Sequence, residues 1–188
     1  MTSGQKPLPD WALQSRAHWR YTGEARPPFA IAPKPGQESV WDYPRPPRLV
    51  ADGREVIVRQ GTFIVARSVR TIRVLETASP PTFYIPKEDV EESCLKPESG
   101  SSRCEWKGVA RYWSVVTPQG VLQQVAWSYP DPLAGCEAIR DHLAFYPARL
   151  ECTVAGERVR AQPGTFYGGW VTNELVGPFK GEPGSEGW

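Results

Sequence analysis

Proline and glycine interrupt this chain so often that no long helix can run through it. Twenty Pro and 17 Gly are spread over 188 residues, and proline blocks both helix interiors and central strands. Between the breaks lie short runs rich in β-branched and aromatic residues, such as "TFIVARS", "TIRVLET" and "VARYWSVV". Alternating runs of that length, closed by turn residues, predict a β-rich fold. The expected class is mainly β: a single compact antiparallel domain with short helices and extended N- and C-terminal arms.

The length suits one domain with a real core. A net charge of +1 and the lack of any Lys/Arg run exclude an electrostatic nucleic-acid binder. The opening "MTSGQKPLPDWALQSRAHWRY" has no apolar signal region. No apolar stretch approaches the roughly 20 residues that span a bilayer. A cytoplasmic protein without a membrane partner is expected, and there Cys94, Cys104, Cys136 and Cys152 are thiols rather than disulfides. No C-x-x-C pair occurs and His18 lies far from His142, so neither a metal nor another cofactor is expected.

Residues 1–47 are dense in Pro, Arg and aromatics and read as an extended arm pinned by Trp11, Trp19, Tyr21, Phe29, Trp41 and Tyr43. The β domain follows over 48–162. "RLVADGREVIVRQ" predicts a hairpin around Asp52-Gly53, "PKEDVEESCL" a short helix, and residues 96–103 a loop. "VARYWSVV" and "VLQQVAWSY" form a hairpin across Thr117–Gly120, "DPLAGCEAIRDHL" starts like a helix, and "ARLECTVAGERVRA" closes a last hairpin at Ala155-Gly156. Residues 163–188, rich in Gly and aromatics, read as a tail packed on the domain.

Strand parity selects candidate site residues, because residues two apart share a face. Ile72, Val74 and Glu76 fall together, opposite Arg73, Leu75 and Thr77. Glu76 thus ends a row of aliphatics, where a carboxylate needs a donor or a proton. Trp127 and Tyr129 share a face behind Val125. Tyr112 falls beside the small Ala110 and Ser114, which leaves room for a ligand or a bulky neighbour. The corner "CEWKG", residues 104–108, puts the thiol of Cys104 next to a carboxylate, an indole and the amine of Lys107. Arg103 and Lys107 favour a reactive thiolate at Cys104, Glu105 opposes it, and nothing brings His142 near as a base. No phosphate-binding, dinucleotide, nucleophile-elbow or zinc-protease motif is present.

The stretches "VWDYPRPPRL", "RVLETASPPTFYIPKEDV", "CEWKGVARYW", "VAWSYPDP", "HLAFYP" and "QPGTFYGGWVTNELVGPFKGEPGSEGW" together resemble the DUF427 family, a group without an established function. The resemblance covers most of residues 38–188. It implies a β-fold similar to the Mss4-like, or β-tent, architecture, with antiparallel sheets meeting over a cleft. The paired C-x-x-C knuckles of zinc-bearing relatives are missing here. The family's recurrent positions fall on Arg73, Glu76, Tyr84, Asp89, Cys104, Trp106, Lys107, Gly108, Tyr112, Trp127, Tyr129 and Tyr146. A nucleotidyltransferase-like label attached to the family is not matched by an Asp-x-Asp carboxylate pair.

Three readings follow. The first is a small-molecule-binding domain, its cleft lined by Arg73, Tyr84, Trp106, Tyr112, Trp127, Tyr129 and Tyr146, with Glu76 and Lys107 as polar anchors. The second makes the same cleft an active site, with Glu76 as general acid/base and Cys104 or Lys107 as nucleophile or electrostatic stabiliser. The third is a partner-binding module acting through the terminal arms. The oligomeric state is not legible in the sequence.

Overall fold

The computed structural model describes residues 7–188, so the first six residues of the expected arm lie outside the described part. The chain passes through α1 (Asp10–Arg16), β1 (Glu38–Ser39), β2 (Arg48–Asp52), β3 (Val56–Gln60), β4 (Phe63–Ser68), β5 (Thr71–Glu76) and β6 (Ser79–Tyr84). It continues through β7 (Leu95–Cys104), β8 (Gly108–Thr117), β9 (Gly120–Ser128), β10 (Leu143–Phe145), β11 (Glu151–Val154) and β12 (Glu157–Arg158). The two-residue strands β13 (Arg160–Ala161), β14 (Trp170–Val171) and β15 (Leu175–Val176) complete it. The fold is mainly β. Its larger sheets, all antiparallel, run β10-β9-β8-β7, β12-β11-β3-β4 and β2-β5-β6. The short β1 pairs with β15 in parallel, which ties the N-terminal arm to the tail.

Three apolar clusters hold these sheets together. The largest lies where Val56, Val58, Val65 and Cys152 face Phe83, Val115, Val125 and Phe145. A second, around Val74, Tyr84, Trp127, Tyr129 and Ile139, joins the β5–β6 pair to β8 and β9. The third seats the arm: Trp41 is fully buried, its Nε1 donates to the Pro178 carbonyl at 3.0 Å, and Tyr21, Phe29 and Trp188 pack on its indole. Aromatic contacts of this geometry contribute about 0.5–1.5 kcal/mol each beyond area burial, and they add to the burial of the Trp41 indole in holding this proline-broken segment.

Several local expectations fail for identifiable reasons. β2 and β3 do not form a hairpin; β2 pairs with β5 and β3 with β4 and β11. The Asp52 carboxylate accepts from the Arg54 backbone N–H at 2.9 Å and from its guanidinium, so the turn opens and hands the chain to another sheet. Residues 96–103 are not a loop but most of β7, a ten-residue edge strand. Both of its sides are largely wet, so no apolar alternation marks it, and an edge tolerates Pro97. The acidic stretch after Pro86 makes only two 3-10 turns, Lys87–Asp89 and Glu92–Cys94, and "DPLAGCEAIRDHL" one, Glu137–Ile139. The arm carries the helix α1, with Asp10 in its first turn and Arg16 in its last, as the helix dipole favours. The hairpins at Thr117–Gly120 and Ala155-Gly156 form as expected.

Two bulges set which side chains reach the interior. β6 carries an extra residue opposite Val74–Glu76, at the Pro80-Pro81 pair, whose nitrogens have no hydrogen to give the ladder. In β9 the register shifts opposite Trp113–Val115, and Gln124 adopts φ +50°. That kink sends Val125 into the largest cluster while Trp127 and Tyr129 stay in the second, so Val125 is not behind them as simple alternation predicts.

Candidate functional site

Between the β5–β6 pair and the inner face of β7–β9 the packing is incomplete. A hollow of about 220 Å³ opens there, closed over by the tail. Tyr112 and Trp127 are direct cross-strand partners on β8 and β9, which sets both rings on its wall. Tyr84, Tyr129 and Tyr146 complete that wall; the Trp127 and Tyr146 rings lie 4.5 Å apart. Glu76, Cys104 and Lys107 line it too. Eight of the ten residues singled out for the site thus stand around one space.

Two do not. Arg73 lies on the opposite face of β5, with Leu75, as parity requires. Its guanidinium pairs with Glu38 at 2.9 Å and lies 3.8 Å from both Asp52 and Glu174, a buried junction of β1, β2, β5 and the tail. Trp106 is buried outside the hollow, under the Arg16 guanidinium, which sits 4.6 Å from its ring. Among the family-recurrent positions, Asp89 also lies elsewhere, paired with Arg70 at 2.8 Å. His142 bonds to the Arg140 carbonyl and lines no part of the hollow.

The polar end of the hollow is donor-rich. Lys107 Nζ lies 3.6 Å from Glu76 Oε2 and makes no hydrogen bond with any described residue, although its side chain is only 13% exposed. Burial disfavours its charged form. The surrounding Cys104, Glu76, Tyr84 and Tyr129 more than offset that, holding the amine well above the ordinary lysine range. Burial also pushes the Tyr84 and Tyr129 hydroxyls up, so both keep their protons. Tyr84 Oη accepts from Trp127 Nε1 at 3.2 Å, which leaves its own proton free to donate; the Tyr129 hydroxyl has no hydrogen-bond partner among the described residues.

Glu76 is already engaged. Arg45 Nε donates to its Oε1 at 3.3 Å while Lys107 stands at the other oxygen. Arg45 is itself fixed by the carbonyls of Tyr21 and Thr77. Cys104, half-buried at the end of β7, is a free thiol, and Cys136 behind it is pushed up to about 11 by burial.

Sequence reasoning missed the residues that arrive from the chain ends. Trp19 lines the hollow, donates from Nε1 to Glu105 at 2.5 Å, and carries the Arg45 guanidinium 4.2 Å above its ring. Gln162 comes from just before the tail, and Tyr167, Gly168, Gly169 and Lys180 from the tail itself. The "FYGGWV" glycines do carry a signal for close approach. A Cβ on Gly168 would sit 2.2 Å from Trp127 Cη2, and one on Gly169 2.3 Å from Gln162 Oε1. The tail therefore presses directly on the aromatic wall. Among the described residues no group of three or more His, Cys, Asp or Glu side chains is placed to hold a metal ion. No described helix is long and apolar enough to cross a membrane.

Fold and site together define a mainly β protein with one aromatic-walled, donor-rich hollow. Residues 48–156 match the model of the domain of unknown function DUF427, and the chain belongs to that family. No protein of curated function matches the chain significantly.

Proposed function

We propose that the hollow binds a small organic molecule that carries an anionic group, a carboxylate in the simplest case, on an aromatic or otherwise flat body. The observation that carries this reading is the convergence of the Lys107 ammonium with the Tyr84 and Tyr129 hydroxyls, donors whose protons no described residue claims. These three groups line the hollow, so the oxygens of a bound anion can accept their protons. The charge balance agrees: Arg103, Lys107 and Lys180 line the hollow, with Arg45 behind Glu76, against Glu76 and Glu105 alone. An incoming anion offsets that excess, and the rings of Tyr112, Trp127 and Tyr146 offer faces for stacking. In this reading Glu76 orients Lys107 rather than touching the ligand first.

The same reading takes the layout as Mss4-like, with sheets meeting over the cleft, and the setting as cytoplasmic, which four unpaired cysteines suit. Native mass spectrometry of the freshly purified protein tests the binding reading. A small molecule released on collisional activation, and missing from Lys107→Met, is the expected result. A bound molecule retained equally by Lys107→Met contradicts it.

A further inference from the structure

A thiol stands beside the amine that anchors the anion. Among the described residues Cys104 is the only cysteine that lines the hollow; Cys94, Cys136 and Cys152 are buried. Burial pushes Cys94 and Cys136 up to about 11 and keeps them inert. Cys104 is half-buried, forms no disulfide and makes no hydrogen bond with a described residue. It pairs with Gly108 in the last register of β7 and β8, and Lys107 directly precedes that glycine. Paired Cα atoms of antiparallel strands lie about 4.5–5.5 Å apart, so thiol and ammonium rise from adjoining backbone positions onto one space. A second, independent mark of a ligand lies opposite them. Tyr129 is 4% exposed and lines the hollow, yet its hydroxyl has no hydrogen-bond partner among the described residues.

We infer that the hollow captures conjugated keto acids covalently: Cys104 adds to the double bond of a 4-oxo-2-enoate whose carboxylate is held by Lys107. The inference rests on the binding reading above, since the anion site must first place the molecule. The sulfur lone pair forms a C–S bond to the alkene carbon that carries the carboxylate. The alkene π pair moves towards the ketone and leaves its oxygen as an enolate. The proton that left the thiol returns to the enolate carbon. The sum is S–H added across C=C, with no oxidant, reductant or leaving group.

Position drives this addition. A carboxylate on Lys107 Nζ brings the carbon next to it to the Cys104 side of the hollow, and holding two reactants together replaces a bimolecular encounter. An acid of this class is flat, which suits stacking on the rings of Tyr112, Trp127 and Tyr146. Its ketone oxygen offers the hydroxyls of Tyr84 and Tyr129 a further acceptor. Lys180, the other amine of the hollow, is engaged elsewhere. Its Nζ sits 3.5 Å from the centroid of the Trp19 ring and donates to the Trp188 backbone oxygen at 2.7 Å.

The test treats the full chain with 4-oxo-4-phenylbut-2-enoate and, in parallel, with its methyl ester, followed by mass spectrometry of the intact protein and its peptides. The expected result is one adduct per chain, mapped to Cys104 and carrying the whole mass of the acid. It should form on the order of tenfold faster from the acid than from the ester, after division by the same ratio for free cysteine. Lys107→Met should remove that preference and Cys104→Ser the adduct. Peptide mapping of the unaltered protein gives the answer even if either variant does not fold. Equal corrected rates from acid and ester, or first labelling at another cysteine, overturns the inference. Calorimetric titration with the saturated 4-oxo-4-phenylbutanoate, which has no double bond to attack, separates the two readings. Binding of that acid without an adduct from its unsaturated counterpart removes the covalent step alone, whereas neither binding nor adduct removes the anion site as well.

Discussion

Lys107 Nζ stands 3.6 Å from Glu76 Oε2 across the polar end of the hollow. The amine is placed by the turn from β7 to β8, the carboxylate by the last residue of β5. Arg45 holds the other carboxylate oxygen at 3.3 Å, so one anion serves two enclosed cations. The two partners are therefore not equivalent. Glu76→Gln leaves both cations without their anion and should lower stability by about 2–4 kcal/mol. Lys107→Met leaves Glu76 paired with Arg45 and should cost about 1 kcal/mol, because each side chain retains some solvent. Urea denaturation of both variants checks this, and a larger loss for Lys107→Met would place the anchor of the site on the wrong residue.

The tail's approach to the aromatic wall depends on the absence of one side-chain atom. Gly168→Ala puts a Cβ 2.2 Å from Trp127 Cη2, so either the indole or the tail must move. Overpacking of this kind should cost about 1–3 kcal/mol. Gly187→Ala, where nothing lies within 4 Å of the added atom, is the matched control. Midpoints that shift equally in the two variants would mean that the tail does not rest on the wall.

Lys180 gives stability a pH dependence with a definite sign. Its amine is lowered in the folded state to about 8 from an unfolded value of 10.5. Below pH 8 both states hold the proton, and the folded state bears the full cost of the buried charge. Between 8 and 10.5 the unfolded chain binds more protons, so this group's contribution to stability rises with pH. The gain relative to Lys180→Met should reach up to about 3 kcal/mol by the top of that window. Cys136 and the raised tyrosines act in the opposite direction at alkaline pH, so the difference between the two proteins is the quantity to measure. A flat difference from pH 7 to 10 would show that the amine is not depressed.

Much of this arrangement was legible before the fold. Alternation put Glu76 and Val74 on one face and Arg73 on the other, and β5 keeps that alternation through its last residue. The Thr117–Gly120 hairpin was legible, but its turn alone would set Tyr112 opposite Val125; the register shift between Trp113 and Val115 brings it opposite Trp127. What stayed hidden had physical reasons. β7 carries no apolar alternation because an edge strand wet on both sides needs none. Trp106 is next to Lys107 in sequence, yet the β7–β8 turn points it away, beneath α1. The bulge at Gln124 breaks period-two counting for Val125. Trp19, Arg45 and Lys180 meet only because both chain ends fold back over the sheets, a relation that no local pattern can report.

The central claim is that Lys107 anchors an anionic group inside the hollow. Isothermal titration of the protein and of Lys107→Met with a panel of aromatic monocarboxylates tests it most directly. The account predicts one-to-one binding of at least one acid to the unaltered protein, weakened about tenfold or more in the variant, since a desolvated charge-assisted contact is worth about 1.5–3 kcal/mol. Equal affinity in the two proteins, or no binding of any acid to the folded unaltered chain, would contradict it.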